Sequence, residues 1–201
     1  LPRVRIVEGD FLQLSIETLR AILAEHAPGA TRYRVAGNLP YNVASPIMFR
    51  LVDLYRQGLP LVDATLMLQR EVADRLLAKP GTGEYGVLTV LIGHRASVTR
   101  VLNLPPGAFR PAPKVQSAVV RLRFHDADPP CADEALIASV VSAVFSRRRK
   151  TMSNALLACG SVRPEAIAGL LATAGIDPVR RPETVSIPEF VRLADAVAAQ
   201  R

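Results

Sequence analysis

The chain is predicted to be an α/β protein, with a mainly parallel sheet followed by a small all-α domain. Strand-like and helix-like segments alternate through residues 3–79, which is typical of a parallel sheet covered by helices. Beyond a polar, turn-rich stretch at 125–134, every apolar segment has helical spacing. The 201 residues are 49% hydrophobic, which is enough to build a proper core. We therefore predict two domains, residues 1–127 and 128–201.

The alternating part of the chain carries clear helix-boundary signals. Ser15 and Ser45 precede helix-like segments and are expected to cap them, because a serine oxygen accepts from the free N–H groups of a first turn. Pro46 suits a first helical position, and Gly58 suits the end of the same helix. Strands are predicted at 3–10, 32–37 and 62–69, and helices at 15–26, 45–58, 70–79 and 86–95.

The pattern changes after residue 95. Two β-branched runs, 96–104 and 116–124, flank a proline-rich loop, which predicts an antiparallel hairpin at the edge of the sheet. The turn-rich stretch 125–134 is interpreted as the linker between the two domains. Helices of the small domain are then predicted at 134–145, 153–159, 164–175 and 187–200.

The composition favours a polyanionic partner and argues against several classes of protein. Lys and Arg number 25 against 18 Asp and Glu, a net charge of +7, although a merely basic soluble protein would show the same balance. Cys131 and Cys159 have no metal-ligand spacing and the three histidines are scattered, so no metal site is predicted. No apolar run approaches the roughly 18 residues that span a bilayer, and no signal peptide opens the chain. We expect a soluble, cytoplasmic protein.

The segment GTGEYG, residues 81–86, matches the dinucleotide-binding pattern G-x-G-x-x-G in its letters only. That pattern needs a strand before it and a helix N-terminus at the phosphates. Here a helix and the dipeptide Lys79-Pro80 precede it, so we interpret the segment as a flexible surface loop.

The segment NLPY, residues 38–41, carries the strongest chemical signal in the chain. Asn38 offers a side-chain carbonyl that accepts from an amine. Pro40 fixes φ and has no N–H, so its neighbourhood presents carbonyls rather than donors. Tyr41 offers an aromatic face on which a flat base can stack. This set suits the exocyclic amine of a nucleobase; the alternative is a proline turn that simply ends the strand.

Asp10 is a second candidate for ligand binding. It follows the first predicted strand, and ligands of open α/β sheets bind beyond the carboxyl ends of the strands. A carboxylate there can accept from an adenine amine or a ribose hydroxyl. The alternative is a turn aspartate that caps the helix after it.

Several blocks of the chain resemble, in collinear order, the ribosomal RNA adenine N6,N6-dimethyltransferases that act on the small subunit. The block GNLPYNVASPIMFRLV (37–52) looks like the catalytic motif of N6-adenine methyltransferases. Blocks at 67–90, 105–122, 145–156 and 174–194 look like consecutive segments of the small-subunit branch. The resemblance covers nearly the whole chain. It implies a Rossmann-like class I methyltransferase sheet, incomplete at its N-terminus, with a small C-terminal helical domain.

The resemblance also implies catalytic roles at matching positions. The Asn38 side chain and the backbone carbonyl of Pro40, with that of Leu39 as a further acceptor, would accept hydrogen bonds from the N6 amine of the target adenosine. Tyr41 would stack on the target base, and Phe109 would close over its other side. The base must be unstacked or flipped to reach such a pocket. The implied product is N6,N6-dimethyladenosine in 16S ribosomal RNA.

The implied methyl donor is S-adenosylmethionine. Asp10 would hold its adenine amine, and Asn38 would also line the donor site. A sulfonium methyl group transfers by in-line displacement, for which alignment and electrostatics suffice, so no metal is implied.

The run SRRRK, residues 146–150, predicts a contact with the RNA backbone, although a solvated charged face is the common alternative. The implied partner is ribosomal RNA in the small subunit or its precursor, bound by a monomeric protein. Arg180 and Arg181 could extend this surface. The residues expected to contact RNA are Arg110, Lys114, Arg147, Arg148, Arg149 and Lys150.

One part of the family pattern is not found in the sequence. The Gly-rich donor loop and the acidic ribose-binding residue would precede Asp10. We therefore expect the chain to be the C-terminal part of a longer protein, and this 201-residue form to be inactive by itself. Two other functions stay open: a large-subunit rRNA adenine methyltransferase of the macrolide-resistance type, and a non-catalytic RNA-binding or ribosome-assembly factor.

Overall fold

The structure is a computed structural model that describes residues 4–200. Its strands and helices follow the order expected for a mixed α/β chain. The strands are β1 (Tyr33–Asn38), β2 (Leu61–Gln69), β3 (Ala96–Leu104) and β4 (Ser117–Phe124). The helices are α1 (Ile16–His26), α2 (Ala44–Arg56), α3 (Arg70–Leu76), α4 (Val87–Gly93), α5 (Glu134–Ser146), α6 (Met152–Leu156), α7 (Ile167–Ala174) and α8 (Ile187–Ala198).

The four strands form one sheet in the order β1-β2-β4-β3. β1 runs parallel to β2, with Asn38 opposite Met67, as the alternating pattern predicted. β4 runs antiparallel to β2, with Ser117 opposite Gln69. The last residues of β1 and β2 and the first residue of β4 therefore meet at one end of the sheet. β3 lies outside β4, which confirms that the two β-branched runs are neighbours at the sheet edge.

Helix α2 leads away from this end of the sheet and carries an apolar stripe. Its buried residues recur every three or four positions, which places them on one face of the helix; they are Ala44, Met48, Leu51 and Leu54. Near the end of α2, Tyr55 stacks on Phe124 of β4 with 5.5 Å between ring centroids. Gly58 follows the helix at φ +84°, a left-handed conformation that glycine adopts without a steric cost.

Contacts divide the chain into two compact units. The first comprises the chain up to Arg70 together with Thr99–Phe124, and the second comprises Glu71–Val98 together with the chain from His125 onward. This differs from the single boundary predicted between residues 127 and 128. The reason is long-range packing: Tyr85 and Val90 are buried in the same hydrophobic core as residues of α5, α7 and α8. A boundary placed by local composition does not reveal such packing.

Two local predictions were wrong, namely the strand at 3–10 and the N-cap at Ser45. The described part of the predicted strand 3–10, residues 4–10, is irregular, and the Ile6 side chain is 86% exposed. No strand pairs with it among the described residues, and an unpaired strand has no ladder to stabilise it. Ser45 lies inside α2, whose N-cap is Val43 with no side-chain hydrogen bond.

The predicted serine cap of α1 was confirmed. The Ser15 hydroxyl accepts a hydrogen bond from the Thr18 N–H at 3.1 Å and caps α1. Residues 125–133, between β4 and α5, contain no helix or strand. They belong to the second compact unit, so their role as a linker between two domains stays a prediction. Within residues 4–200, no helix combines the length and apolarity needed to cross a membrane.

Candidate functional site

The NLPY segment, residues 38–41, leaves the carboxyl end of β1 in a fixed conformation. The Leu39 N–H donates to the Met67 carbonyl at 3.3 Å, and the Leu39 side chain is only 9% exposed. Asn38, Pro40 and Tyr41 are exposed around this buried anchor. With Leu39 buried as the anchor, the three other residues of the segment, which are predicted to be functional, face solvent at the end of the sheet.

The two candidate backbone acceptors differ in what they already bind. The Pro40 carbonyl accepts the Val43 N–H at 3.1 Å, a bond that forms the turn into α2. The Leu39 carbonyl accepts no hydrogen bond from any described residue. The Leu39 oxygen therefore has its full accepting capacity beside the Asn38 amide, whereas the Pro40 oxygen has already used part of its own.

Tyr41 connects the NLPY segment to the start of β4. Its side chain is 42% exposed, and its hydroxyl lies 3.4 Å from the hydroxyl of Ser117, which is 1% exposed. Next to Ser117, the Gln116 carbonyl accepts the Arg70 N–H at 2.9 Å at the end of β2. The sequence reasoning missed Ser117, Gln116 and Arg70, because single polar residues at strand ends carry no pattern.

Phe109 lies in the loop that leads to Ser117. It is half-buried, and its N–H donates to the Pro106 carbonyl at 3.2 Å. The ring contacts found in residues 4–200 do not include one between Phe109 and Tyr41. The loop leads into Ser117, at the end of the sheet where the NLPY segment lies. The role of Phe109 as a cover for the base stays a prediction.

Asp10 forms a local turn. Its Oδ1 accepts the Leu12 N–H at 2.9 Å, as in the turn aspartate given as the alternative. Asp10 does not cap the helix that follows, because Ser15 caps α1. The Leu14 carbonyl then accepts from Arg50 Nη2 of α2 at 2.7 Å, which attaches the segment to that helix. No hydrogen bond joins Asp10 to residues 38–41 in the described part of the chain. Its exposed Oδ2 has no partner there either, so the carboxylate fits an amine donor such as that of adenine.

The basic run, residues 147–150, follows directly after α5. Arg147, Arg149 and Lys150 are exposed, and none of them forms an ion pair with a described residue. Arg148 is engaged internally: its Nη2 donates to the Thr82 carbonyl at 3.2 Å, and its Nε lies 3.6 Å from Glu183 Oε2. Three of the four predicted cations are thus free for phosphate.

The remaining predicted cations fall into two groups. Arg110 and Lys114 are exposed on the loop before β4, as an RNA contact requires. Arg180, considered as an extension of the surface, instead donates to both Glu189 oxygens at 2.5 and 3.2 Å. That ion pair engages Arg180, while Arg181 is exposed.

No residues in the described range gather into a metal site. Among them, no group of three or more His, Cys, Asp and Glu side chains lies close enough to hold an ion. His94 is buried with Nε2 2.7 Å from the Pro129 carbonyl, and burial lowers its pKa. This geometry fits a neutral imidazole that donates to the backbone.

Comparison with known proteins gives one family. The family model described as ribosomal RNA adenine dimethylase matches residues 1–199. Curated relatives include two proteins named ribosomal RNA small subunit methyltransferase A. The one from Geobacter metallireducens is 42% identical over 98% of this chain and 70% of its own length. The one from Pseudomonas fluorescens is 42% identical over 96% of this chain and 66% of its own length. The chain thus spans about two thirds of their lengths.

Two solved structures share the fold. A dimethyladenosine transferase from Plasmodium falciparum superposes with a TM-score of 0.69 at 22% identity, covering 88% of this chain and 75% of the other. The 23S rRNA methyltransferase ErmE superposes with a TM-score of 0.57 at 24% identity, covering 91% and 78%. These similarities confirm the predicted Rossmann-like α/β fold.

Proposed function

Because this chain belongs to the ribosomal RNA adenine dimethylase family, we propose that the full-length protein dimethylates the N6 amine of adenosines in small-subunit ribosomal RNA. The relatives at 42% identity carry a name that states small-subunit methylation, which supports this choice of RNA. The substrate is the small subunit or its precursor. The protein acts in the cytoplasm as a monomer and without a metal.

The residues at the end of β1 orient the target amine. The Asn38 amide oxygen accepts one N6 hydrogen, and the neighbouring backbone carbonyl accepts the other. We assign this second role to the Leu39 carbonyl because it is free, whereas the Pro40 carbonyl already accepts the Val43 N–H. These two hydrogen bonds draw both N6 hydrogens out of the plane of the adenine ring. The nitrogen lone pair then points toward the methyl group of the donor.

Methyl transfer needs little beyond this alignment. S-Adenosylmethionine, the donor used by methyltransferases of this family, supplies an electrophilic methyl group on a positively charged sulfur. The N6 lone pair forms the new C–N bond as the C–S bond breaks, and the amine then loses a proton to solvent. A repeat on the monomethylated amine gives the dimethylated base. The Asp10 carboxylate accepts from the donor's adenine amine, while Tyr41 and Phe109 hold the target base.

Recognition of the RNA rests on cations that contact phosphate. Arg147, Arg149 and Lys150 are exposed without ion pairs among the described residues, and Arg110 and Lys114 are exposed in the other unit. Phosphate contacts position a protein on RNA without reading its sequence. The target adenosines are then selected by the shape of the RNA and by access to the NLPY segment.

The observation that carries the proposal is the exposed set of acceptors at residues 38–41 beside the exposed Tyr41 ring. The test is methyl transfer from labelled S-adenosylmethionine to small subunits that lack the modification, using full-length protein and the Asn38→Ala variant. We expect a loss of about 10²-fold or more, the usual effect of removing one preorganised hydrogen bond from a reacting group. Asn38 is exposed, so the melting temperature should not change.

The controls separate the competing functions. If the unaltered full-length protein binds the subunits but transfers no methyl group, the catalytic proposal fails and an assembly factor replaces it. If it labels large subunits and not small ones, the choice of RNA is wrong. The 201-residue chain, assayed in parallel, tests the expectation that it is inactive by itself.

A further inference from the structure

An exposed loop, residues 79–84, lies beside the basic run. It contains most of the GTGEYG segment, which the proposed function leaves unused. The Arg148 guanidinium donates to the Thr82 carbonyl at 3.2 Å, which brings the loop backbone against the basic run. Both belong to the same compact unit.

The base of this loop is firmly anchored. The Gly81 N–H donates to the Glu183 carbonyl at 2.6 Å, and the Tyr85 hydroxyl donates to the Val185 carbonyl at 2.8 Å. Tyr85 is 1% exposed, so the loop is held by a buried side chain at one end. Gly81 adopts φ +91°, a conformation that side chains rarely allow. The tip is therefore presented in a defined geometry.

Arg148 also contacts Glu183, a residue outside the loop. Its Nε lies 3.6 Å from Glu183 Oε2, a buried atom with no hydrogen-bond partner in the described residues. Glu183 also accepts from Gly81 through its backbone carbonyl. Arg148 and Glu183 thus join the basic run and the loop into one assembly.

The exposed groups of this assembly suit a phosphate backbone. The side chains of Lys79, Arg147, Arg149 and Lys150 are exposed, against one exposed carboxylate, Glu84. The exposed N–H groups of Gly83 and Glu84 donate to no described residue. A Cβ added at Gly83 would meet nothing within 4 Å, so a ligand can approach the main chain closely. Backbone N–H groups and cations together are common phosphate ligands.

We propose that loop 79–84 and the basic run form one docking surface for the ribosomal RNA backbone. The Gly83 and Glu84 N–H groups donate to phosphate oxygens, and the cations neutralise them. Arg148 is a positioning residue that holds the loop against the run through Thr82 and Glu183. The proposal rests on the proposed function for the identity of the RNA, but concerns binding and not methyl transfer.

Gly83 offers a direct test because it tolerates side chains. Its φ is not positive and its surroundings are open, so Gly83→Ala, Gly83→Glu and Gly83→Arg should all fold. The binding of each full-length variant to unmethylated small subunits is measured at fixed salt, with a melting curve for each. Gly169→Glu on α7, another open glycine of the same unit, is the matched control for added charge.

The expected results follow from charge and distance. Gly83→Glu should bind about fivefold more weakly, because a carboxylate next to a phosphate opposes binding at ordinary salt. Gly83→Arg should bind more tightly, and Gly83→Ala and Gly169→Glu should stay within about twofold, since neither places a new charge at the contact. Unchanged binding of Gly83→Glu and Gly83→Arg, or an equal loss with Gly169→Glu, would overturn the proposal.

The same samples separate this proposal from the catalytic one. With saturating subunits, Gly83→Glu should keep its kcat for methyl transfer while its KM rises. If the unaltered protein transfers no methyl group but Gly83→Glu still weakens binding, the proposed function fails and the docking surface stands. If methyl transfer is normal and the Gly83 series has no effect, the docking surface fails alone.

Discussion

At the scale of single residues, the NLPY segment divides its tasks between side chain and backbone. Leu39 anchors the segment through its buried side chain and its bond to Met67, which leaves its own carbonyl free. Tyr41 is an exposed residue, and only a long contact of 3.4 Å joins its hydroxyl to Ser117. We therefore expect Tyr41 to act on a substrate through its ring, with the contact of its hydroxyl contributing little.

This distinction predicts different outcomes for two substitutions of Tyr41. Tyr41→Phe keeps the ring and should lower kcat/KM for methyl transfer by no more than about threefold, because a long, partly exposed hydrogen bond contributes little. Tyr41→Ala removes the stacking face, worth about 1–3 kcal/mol per base, and should lower kcat/KM by about 5- to 150-fold. Steady-state methyl transfer to unmethylated small subunits measures both. Equal losses in the two variants would contradict a stacking role.

At the scale of elements, the start of α8 is fixed by a local cap and an ion pair. The Ser186 N–H donates to Glu189 Oε2 at 2.7 Å, and Arg180 donates to both Glu189 oxygens. The Arg180 carbonyl accepts the Met152 N–H at 2.7 Å, which ties the same residue to the start of α6. One arginine thus connects two helices that lie far apart in the sequence.

The cap predicts how stability depends on pH. Burial alone would raise the pKa of Glu189, but hydrogen bonds from Arg180 and Ser186 outweigh it and lower the pKa from 4.5 to about 2. Because the folded pKa is the lower one, this stabilisation is complete above pH 4.5 and is lost as pH falls towards 2. Glu189→Gln should lower the free energy of unfolding near neutral pH by about 1–2 kcal/mol.

Unfolding of both proteins by denaturant between pH 7 and pH 2 provides the measurement. The difference between Glu189→Gln and the unaltered protein should shrink as pH falls from 4.5 towards 2, because protonated Glu189 resembles glutamine. A difference that stays constant over this range would show that the pKa of Glu189 is the same in the folded and the unfolded protein, which would contradict the cap and the ion pair.

At the scale of the whole molecule, the cations behind the net charge of +7 differ in whether they are available to bind RNA. Some cations, such as Arg148 and Arg180, are engaged with carboxylates inside the second unit. Others, such as Arg149 in that unit and Lys114 in the first, are exposed. Only the exposed cations can release counterions from RNA on binding.

This division predicts a contrast between Arg148 and Arg149. Arg149→Ala should weaken binding to small subunits and reduce the slope of log affinity against log salt by about 1, with an unchanged melting temperature. Arg148→Ala should lower the unfolding free energy by about 1–3 kcal/mol, because it leaves the partly buried Glu183 carboxylate without its cation. If Arg148→Ala changes the salt slope as much as Arg149→Ala and leaves stability intact, its internal role is contradicted.

Much of the fold was predictable because its signals are local. The β-branched runs and the helical spacing predicted the strands and most of the helices within a few residues. The serine cap of α1 was likewise visible, since a cap depends on residues three positions apart. The NLPY segment could be placed at the end of a strand for the same reason.

The sequence by itself determined the α/β class, the order of the elements from α1 onward, the family and the residues proposed for the candidate site. The tertiary structure alone decided that residues 4–10 form no strand and that Glu71–Val98 joins the C-terminal core. It also decided that the side chains of Arg148 and Arg180 bind other residues of the protein, whereas Arg149 is exposed. The physical reason is distance along the chain: Arg148 binds Thr82 across 66 positions, and no local pattern of charges reveals which cation has a partner that far away.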